Sequence, residues 1–201
     1  MATEEIARLE QQITELSTKL HQLHSELPGR EVKNYTFDTL DGAVTLQELF
    51  AGKDKLLVIH NMGQACRYCT LWGDGINPFV PHLESALAVA LVSKDPPDVQ
   101  RTFANSRNWR MRMASHGGGE YMQDQVAVKG TGNMPGAVVY EHQGNTILRK
   151  ASTYFGPGDL YCSQWQFLGL AGISVEDWTP QYTYWQRPAV MEDGGDNVLS
   201  P

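Results

Sequence analysis

Cys66 and Cys69, in Cys66-Arg67-Tyr68-Cys69, are the residues whose type and spacing best suit covalent chemistry. On a helix, positions i and i+3 lie about 5 to 6 Å apart at Cβ, so modest adjustment of one turn permits a sulfur–sulfur bond. A cysteine at a helix start faces unpaired backbone N–H groups and the positive end of the dipole, which favours thiolate. Cys66 is therefore the expected nucleophile, and the fixed charge of Arg67 next to it is expected to tune its reactivity. Cys69, one turn further in, should be less exposed and suited to resolving a mixed disulfide.

Other readings of these cysteines stand beside this one. As half of a zinc site they would need Cys162 and one of His60, His82, His116 or His142, without the second closely spaced ligand pair typical of structural zinc. They could also be small buried hydrophobes, which is common for intracellular cysteine. Cys162, in Tyr161-Cys-Ser-Gln-Trp165, reads as a core residue, and no resident metal is expected. His116-Gly-Gly-Gly resembles the oxyanion-hole glycines of esterases, but no Gly-x-Ser-x-Gly completes that machinery, so it reads as a flexible loop. No Gly-rich nucleotide cradle occurs. His21 and His24 read as solvated helix surface, and Trp165, Trp178 and Trp185 as core or cover.

The elements that must position the cysteines follow from periodicity. Lys55–His60 is a continuous apolar run of strand length, as expected of an interior strand covered on both faces, and Cys66 comes after a short loop. A helix then runs through Trp72 until Gly73, Gly75 and Pro78 interrupt it, and a second helical piece covers Val80–Ala86. Ala88–Val92 repeats the buried-strand signal, Pro96-Pro97 opens a helix toward Trp109, and Arg110–Ala114 is a further strand. Upstream, Tyr35–Phe37 and Val44–Leu46 flank the turn Leu40-Asp41-Gly42, leading into a short amphipathic segment that ends at Phe50. Downstream, Gly136–Tyr140 and Thr146–Leu148 flank Gln143-Gly144-Asn145 as an antiparallel hairpin, and a last helix is expected over Asp159–Leu170.

The first 29 residues differ in character. Ile6, Leu9, Ile13, Leu16, Leu20, Leu23 and Leu27 alternate by three and four, placing one apolar seam along a single helix that Pro28-Gly29 ends. The seam suits either a two-stranded coiled coil in a homodimer through residues 3–27 or packing on the chain's own domain. Residues 30–186 are then the main domain, and the polar, breaker-rich 187–201 a weakly ordered tail.

Composition bounds the function. With 201 residues, 41% hydrophobic and 19% charged, the chain suits one packed domain with appendages. A net charge of −7 repels polyanions, and no basic stripe interleaved with aromatics offsets it, so nucleic acid is not an expected partner. No apolar run approaches the ~20 residues that span a bilayer, so no membrane partner is expected. The start lacks the regions of a signal peptide, so the expected location is the cytoplasm.

Strand, loop, Cys-x-x-Cys, helix, then Met134-Pro135 leading into a hairpin resembles the thioredoxin fold: a mixed α/β sheet flanked by helices, here preceded by a long amphipathic helix. Leu40–Phe50 with Gly52-Lys53 looks like the entry segment of the peroxiredoxin and thiol-reductase branch. Cys66-x-x-Cys69-x-x-Trp72-x-Asp74-Gly75, Pro81-His82-Leu83 and Ser152-Thr-Tyr154 are similar to a bacterial thioredoxin-like family labelled predicted dithiol-disulfide oxidoreductases. The likeness covers roughly residues 30–180 and implies that Pro135 is a cis-proline opposite the cysteines, shaping with Met134 the groove where substrate backbone docks. Thioredoxin's Trp-Cys-Gly-Pro-Cys and the peroxiredoxin Pro-x-x-x-Thr-x-x-Cys are both absent.

The leading expectation is a thiol–disulfide oxidoreductase acting on a protein or small-molecule disulfide, without metal or organic cofactor but with an external electron donor. Two alternatives are a non-catalytic, dimeric thioredoxin-fold scaffold and a thiol peroxidase in which Cys66 forms a sulfenic acid.

Overall fold

A computed structural model describes residues 2–126 and 132–181; the tail expected over 187–201, and Trp185, lie outside the described residues. In chain order the elements are α1 (Ala2–Glu26), β1 (Arg30–Val32), β2 (Thr36–Thr39), β3 (Gly42–Thr45), α2 (Leu46–Leu49) and β4 (Lys55–His60). Then come α3 (Arg67–Ile76), α4 (Val80–Ala86), β5 (Ala88–Ser93), α5 (Pro97–Ser106), β6 (Arg112–Ser115), β7 (Gly136–Gln143), β8 (Thr146–Tyr154) and α6 (Ser163–Leu170). A 3₁₀ turn over Asn77–Phe79 links α3 to α4, and a single π-helical turn covers Met122–Val126.

The strands form one mixed sheet in the order β1-β8-β7-β4-β5-β6-β2-β3. β4, β5 and β6 are parallel, and β7 runs antiparallel to β4. The apolar runs of β4 and β5 are continuous because both sheet faces are covered. Side-chain alternation divides them: Leu56, Val58, Ala90 and Val92 join Phe37, Leu46, Phe50 and Tyr140 on one face. Ile59, Val89 and Leu91 point the other way, onto Trp72, Val80, Ala104, Trp109 and Trp165 from α3 to α6 and the α5–β6 connection. The expected mixed sheet with flanking helices and a long leading helix is what forms.

Four local expectations are corrected. α3 continues through Gly73 and Gly75 to Ile76, because Gly73 lies flat against the Trp109 ring, where a Cβ would sit 2.4 Å from the nearest ring carbon. β1 is an unforeseen strand, since Arg30-Glu31-Val32 has no apolar alternation; its ladder with Arg149–Ile147 of β8 creates it. α6 starts at Ser163, not Asp159, whose carboxylate instead accepts N–H groups from Gly156 and Tyr161 and the indole N–H of Trp72. The segment after His116 is a hydrogen-bonded turn rather than a free loop: Gly119 N–H donates to the His116 carbonyl and Gly118 N–H to the His116 ring, with Gly117 and Gly118 at positive φ.

Candidate active site

The carboxyl ends of parallel strands are where α/β sheets present functional loops. Here the loops after β4, β5 and β6 begin at Asn61, Lys94 and His116, and the antiparallel β7 enters the same sheet edge, where Gly136 pairs with His60. Asn61 shapes the cysteine loop as an Asx turn, its Oδ1 accepting the Gly63 N–H at 2.8 Å and its Nδ2 facing the Cys69 carbonyl at 3.5 Å. Gly63 has φ +114°, and a Cβ there would sit 2.7 Å from both carboxylate oxygens of Asp95, whose Oδ2 accepts the Gln64 N–H at 2.7 Å. Asp95 thereby fastens this loop to the end of β5.

Cys66 is the N-cap of α3. Its φ and ψ of −96° and 104° are extended, and its sulfur accepts the Cys69 N–H at 3.1 Å, satisfying one of the donors a helix start leaves open. Cys66 is half-buried and Cys69 is 3% exposed. The Met62 N–H donates to the Cys69 sulfur at 3.4 Å. The Cys69 thiol, donating to the Cys66 sulfur, together with the Cys69 and Tyr68 N–H groups, outweighs burial and brings the Cys66 thiol down to about 7. Cys69 moves the other way, raised well above the thiol range by its bond to Cys66, by burial and by the Cys66 charge. Cys66 is thus a half-buried, near-neutral acid and Cys69 a buried thiol one turn further along.

Arg67 takes the first position of α3 and is half-buried. The lowering of Cys66 comes from hydrogen-bond donors at its sulfur, and Arg67 is not among its causes.

Met134 is half-buried and Pro135 buried. The Met134–Pro135 bond is trans, where the thioredoxin resemblance implies cis. Its setting is a straight entry into β7, with the Pro135 carbonyl accepting the Phe155 N–H at 2.9 Å and Gly136 paired with both His60 and Tyr154, so no turn calls for the rarer isomer. A cavity of about 170 Å³ adjoins the proline, with Met134, His60, Gln125, Arg149 and Tyr154 among its walls; neither cysteine lines it. What joins the two segments is Asn133, whose Nδ2 donates to the Met62 carbonyl at 3.2 Å.

The histidines considered for zinc serve elsewhere. His60 is buried and its Nε2 lies 2.7 Å from the Tyr121 hydroxyl, the start of a buried polar line through Tyr140, Gln125 and Tyr35 to Asp124. Burial pushes His60 down to about 3 and His116 to about 4. His82 is exposed, and His142 packs on Phe50 at 3.8 Å between ring centres. Among the described residues no three His, Cys, Asp or Glu side chains gather as metal ligands. Cys162 is 5% exposed in the core beside Trp72 and Trp165, and burial raises its thiol. Trp72, Trp109 and Trp165 are buried and Trp178 half-buried. His24, expected in solvent, is half-buried where α1 overhangs the sheet.

Sequence reasoning missed Asp95, Asn133 and the His60–Tyr121 pair. Asn61 carried a usable signal, an Asx residue two before a glycine. The others carried none, because their partners are remote in the chain.

A family model described as bacterial protein of unknown function (DUF899) matches residues 1–188. Comparison with curated proteins gives no match. Among solved structures, the chain is similar to reduced Prx3 of Vibrio vulnificus in complex with H2O2, at 18% identity and TM-score 0.52, over 71% of this chain and 94% of that one. It is likewise similar to Peroxiredoxin Q of Xanthomonas campestris, at 14% identity and TM-score 0.54, over 72% and 95% of the two chains. A peroxiredoxin-like protein from Aquifex aeolicus matches at 17% identity and TM-score 0.50, over 63% of this chain and 74% of that one. At such identities the likeness is one of fold, and that fold is the thioredoxin fold.

Proposed function

The chain belongs to the DUF899 family of bacterial proteins, and from that premise we propose that it is a thiol–disulfide oxidoreductase using Cys66 and Cys69. The observation that carries this reading is the unequal pair: a half-buried Cys66, brought down to about 7, whose sulfur accepts the Cys69 N–H at 3.1 Å, and a buried Cys69 whose thiol is raised. The thioredoxin fold supports the reading without specifying the reaction.

The reaction runs in two exchanges. The Cys66 thiolate attacks one sulfur of a substrate disulfide, breaking that S–S bond, forming a mixed disulfide and releasing a thiolate that takes a proton from water. Cys69 then loses its proton and attacks the Cys66 sulfur. The second substrate sulfur leaves as a thiol and the Cys66–Cys69 disulfide forms. The substrate gains two electrons and two protons, and an external dithiol returns the enzyme to its reduced form.

The test is reduction of insulin disulfides with dithiothreitol as electron donor, comparing wild type with Cys66→Ser and Cys69→Ser. Cys66→Ser is expected to be inactive, and Cys69→Ser to accumulate the mixed disulfide. Equal rates for wild type and Cys66→Ser overturn the proposal.

The peroxiredoxin neighbours favour a second reading, in which the Cys66 thiolate takes one peroxide oxygen as sulfenic acid, releasing an alkoxide or hydroxide. Cys69 then condenses with it, forming the disulfide and water. Peroxide consumption coupled to the same reductant distinguishes the two.

A further inference from the structure

Among the described residues, most of the apolar seam of α1 is left uncovered. Ile6, Leu9, Ile13, Leu16 and Leu23 are between 45% and 67% exposed, and no residue of α1 is buried. Contact with the domain falls along one edge of the seam, where Leu20 of the seam itself and the adjoining Ser17 and His24 are half-buried. Even there the helix does not seal the sheet: a cavity of about 410 Å³ lies between His21 and His24 on one side and Leu57, Ile59 and Phe79 on the other.

We propose that a second copy of this chain covers the seam, the two α1 helices forming a two-stranded coiled coil. Ile6 and Ile13 occupy two a positions, the next of which, Leu20, is half-buried toward the domain, and Leu9, Leu16 and Leu23 occupy every d position, a composition that favours two strands. The flanking e and g positions hold Glu5, Glu10, Gln12, Ser17, Lys19 and His24, so the apolar stripe is the narrow two-position seam rather than the wider face that packs on a globular core. Two such seams together remove on the order of 1,000 Å² from water, which reaches the lower bound of a specific interface. A lone amphipathic helix is marginal in water, and pairing supplies the burial that the domain does not. The inference is independent of the chemistry assigned to the cysteines.

Size-exclusion chromatography with light scattering on the full chain at micromolar concentration tests it. Wild type is expected at twice the 22.4 kDa chain mass. Leu16→Asp places a charge in the seam and is expected to run at the mass of one chain, the dissociation constant rising about 100-fold or more. Thr18→Asp, on the outward side of the same helix, is expected to stay dimeric. Near-ultraviolet circular dichroism reports that the domain is folded in each variant. A monomeric wild type, a mass of three or more chains, or a Leu16→Asp protein that stays dimeric overturns the proposal.

Discussion

Asn133 donates its side-chain N–H to the Met62 carbonyl at 3.2 Å, and the N–H of Met62 donates in turn to the Cys69 sulfur at 3.4 Å. The residue two positions before Pro135 is thus two hydrogen bonds from the buried member of the cysteine pair. Its Oδ1 is buried and has no hydrogen-bond partner among the described residues, which hold the side chain from one end only. Asn133→Ala is expected to cost about 1 kcal/mol of stability and to slow resolution of a mixed disulfide by Cys69 roughly 10-fold, through a less fixed Met62. Alkylation of Cys66 should change less than 2-fold, an estimate of about 0.4 kcal/mol or below. Rapid-mixing kinetics with a preformed mixed disulfide reads the first rate and iodoacetamide the second; unchanged resolution removes Asn133 from the site.

The Cys66 thiol, brought down to about 7, fixes a pH dependence. Its alkylation rate should rise with pH to half its plateau at about 7, where a free thiol reaches half at about 8.5. Cys69→Ala deletes the strongest lowering group, and the midpoint should move toward the free-thiol value. Identical midpoints in the two proteins would assign the lowering elsewhere.

His60 and His116, pushed down to about 3 and about 4 by burial, make the fold acid-sensitive. In the unfolded chain a histidine takes up its proton near pH 6.5, so from there down to pH ~4 the unfolded state holds more protons and stability falls as pH falls. The slope approaches about 1.4 kcal/mol per pH unit for each histidine. His60→Gln removes one of these protons while keeping a polar partner for Tyr121. Urea unfolding at several pH values should give a shallower slope for the variant, and parallel slopes would refute the assignment.

Two glycines in or near the cysteine segment make opposite predictions. Gly63→Ala combines φ +114° with a Cβ 2.7 Å from the Asp95 carboxylate, and should destabilise by about 1 to 3 kcal/mol. Gly75→Ala lies in the interior of α3 with nothing within 4 Å of the new Cβ, and should stabilise by about 0.5 to 1 kcal/mol. Paired denaturant titrations decide; equal effects would mean the Asp95 contact is not what constrains the loop.

Elements written in short windows were readable from the chain. The seam of α1, the apolar runs of β4 and β5 and the hairpin of β7 and β8 follow from period and turn residues, as does a Cys-x-x-Cys opening a helix after a buried strand. What escaped the reading depends on partners far along the chain. Asp95 meets Gln64 across 31 residues, His60 meets Tyr121 across 61 and Asn133 meets Met62 across 71. The continuation of α3 through Gly73 is the same lesson: a local helix breaker is overruled by the Trp109 ring that occupies its empty face.

The sulfur that caps α3 is also the atom on which the proposed exchange acts. As a thiolate, Cys66 is a strong acceptor for the Cys69 N–H; in a neutral disulfide it is a weak one, and the first turn of the helix loses an anchor. Whatever steadies that anion steadies the dithiol over the disulfide, so in the proposed couple folding itself would favour oxidising power. Redox poise and helix integrity are, at this position, one thermodynamic quantity.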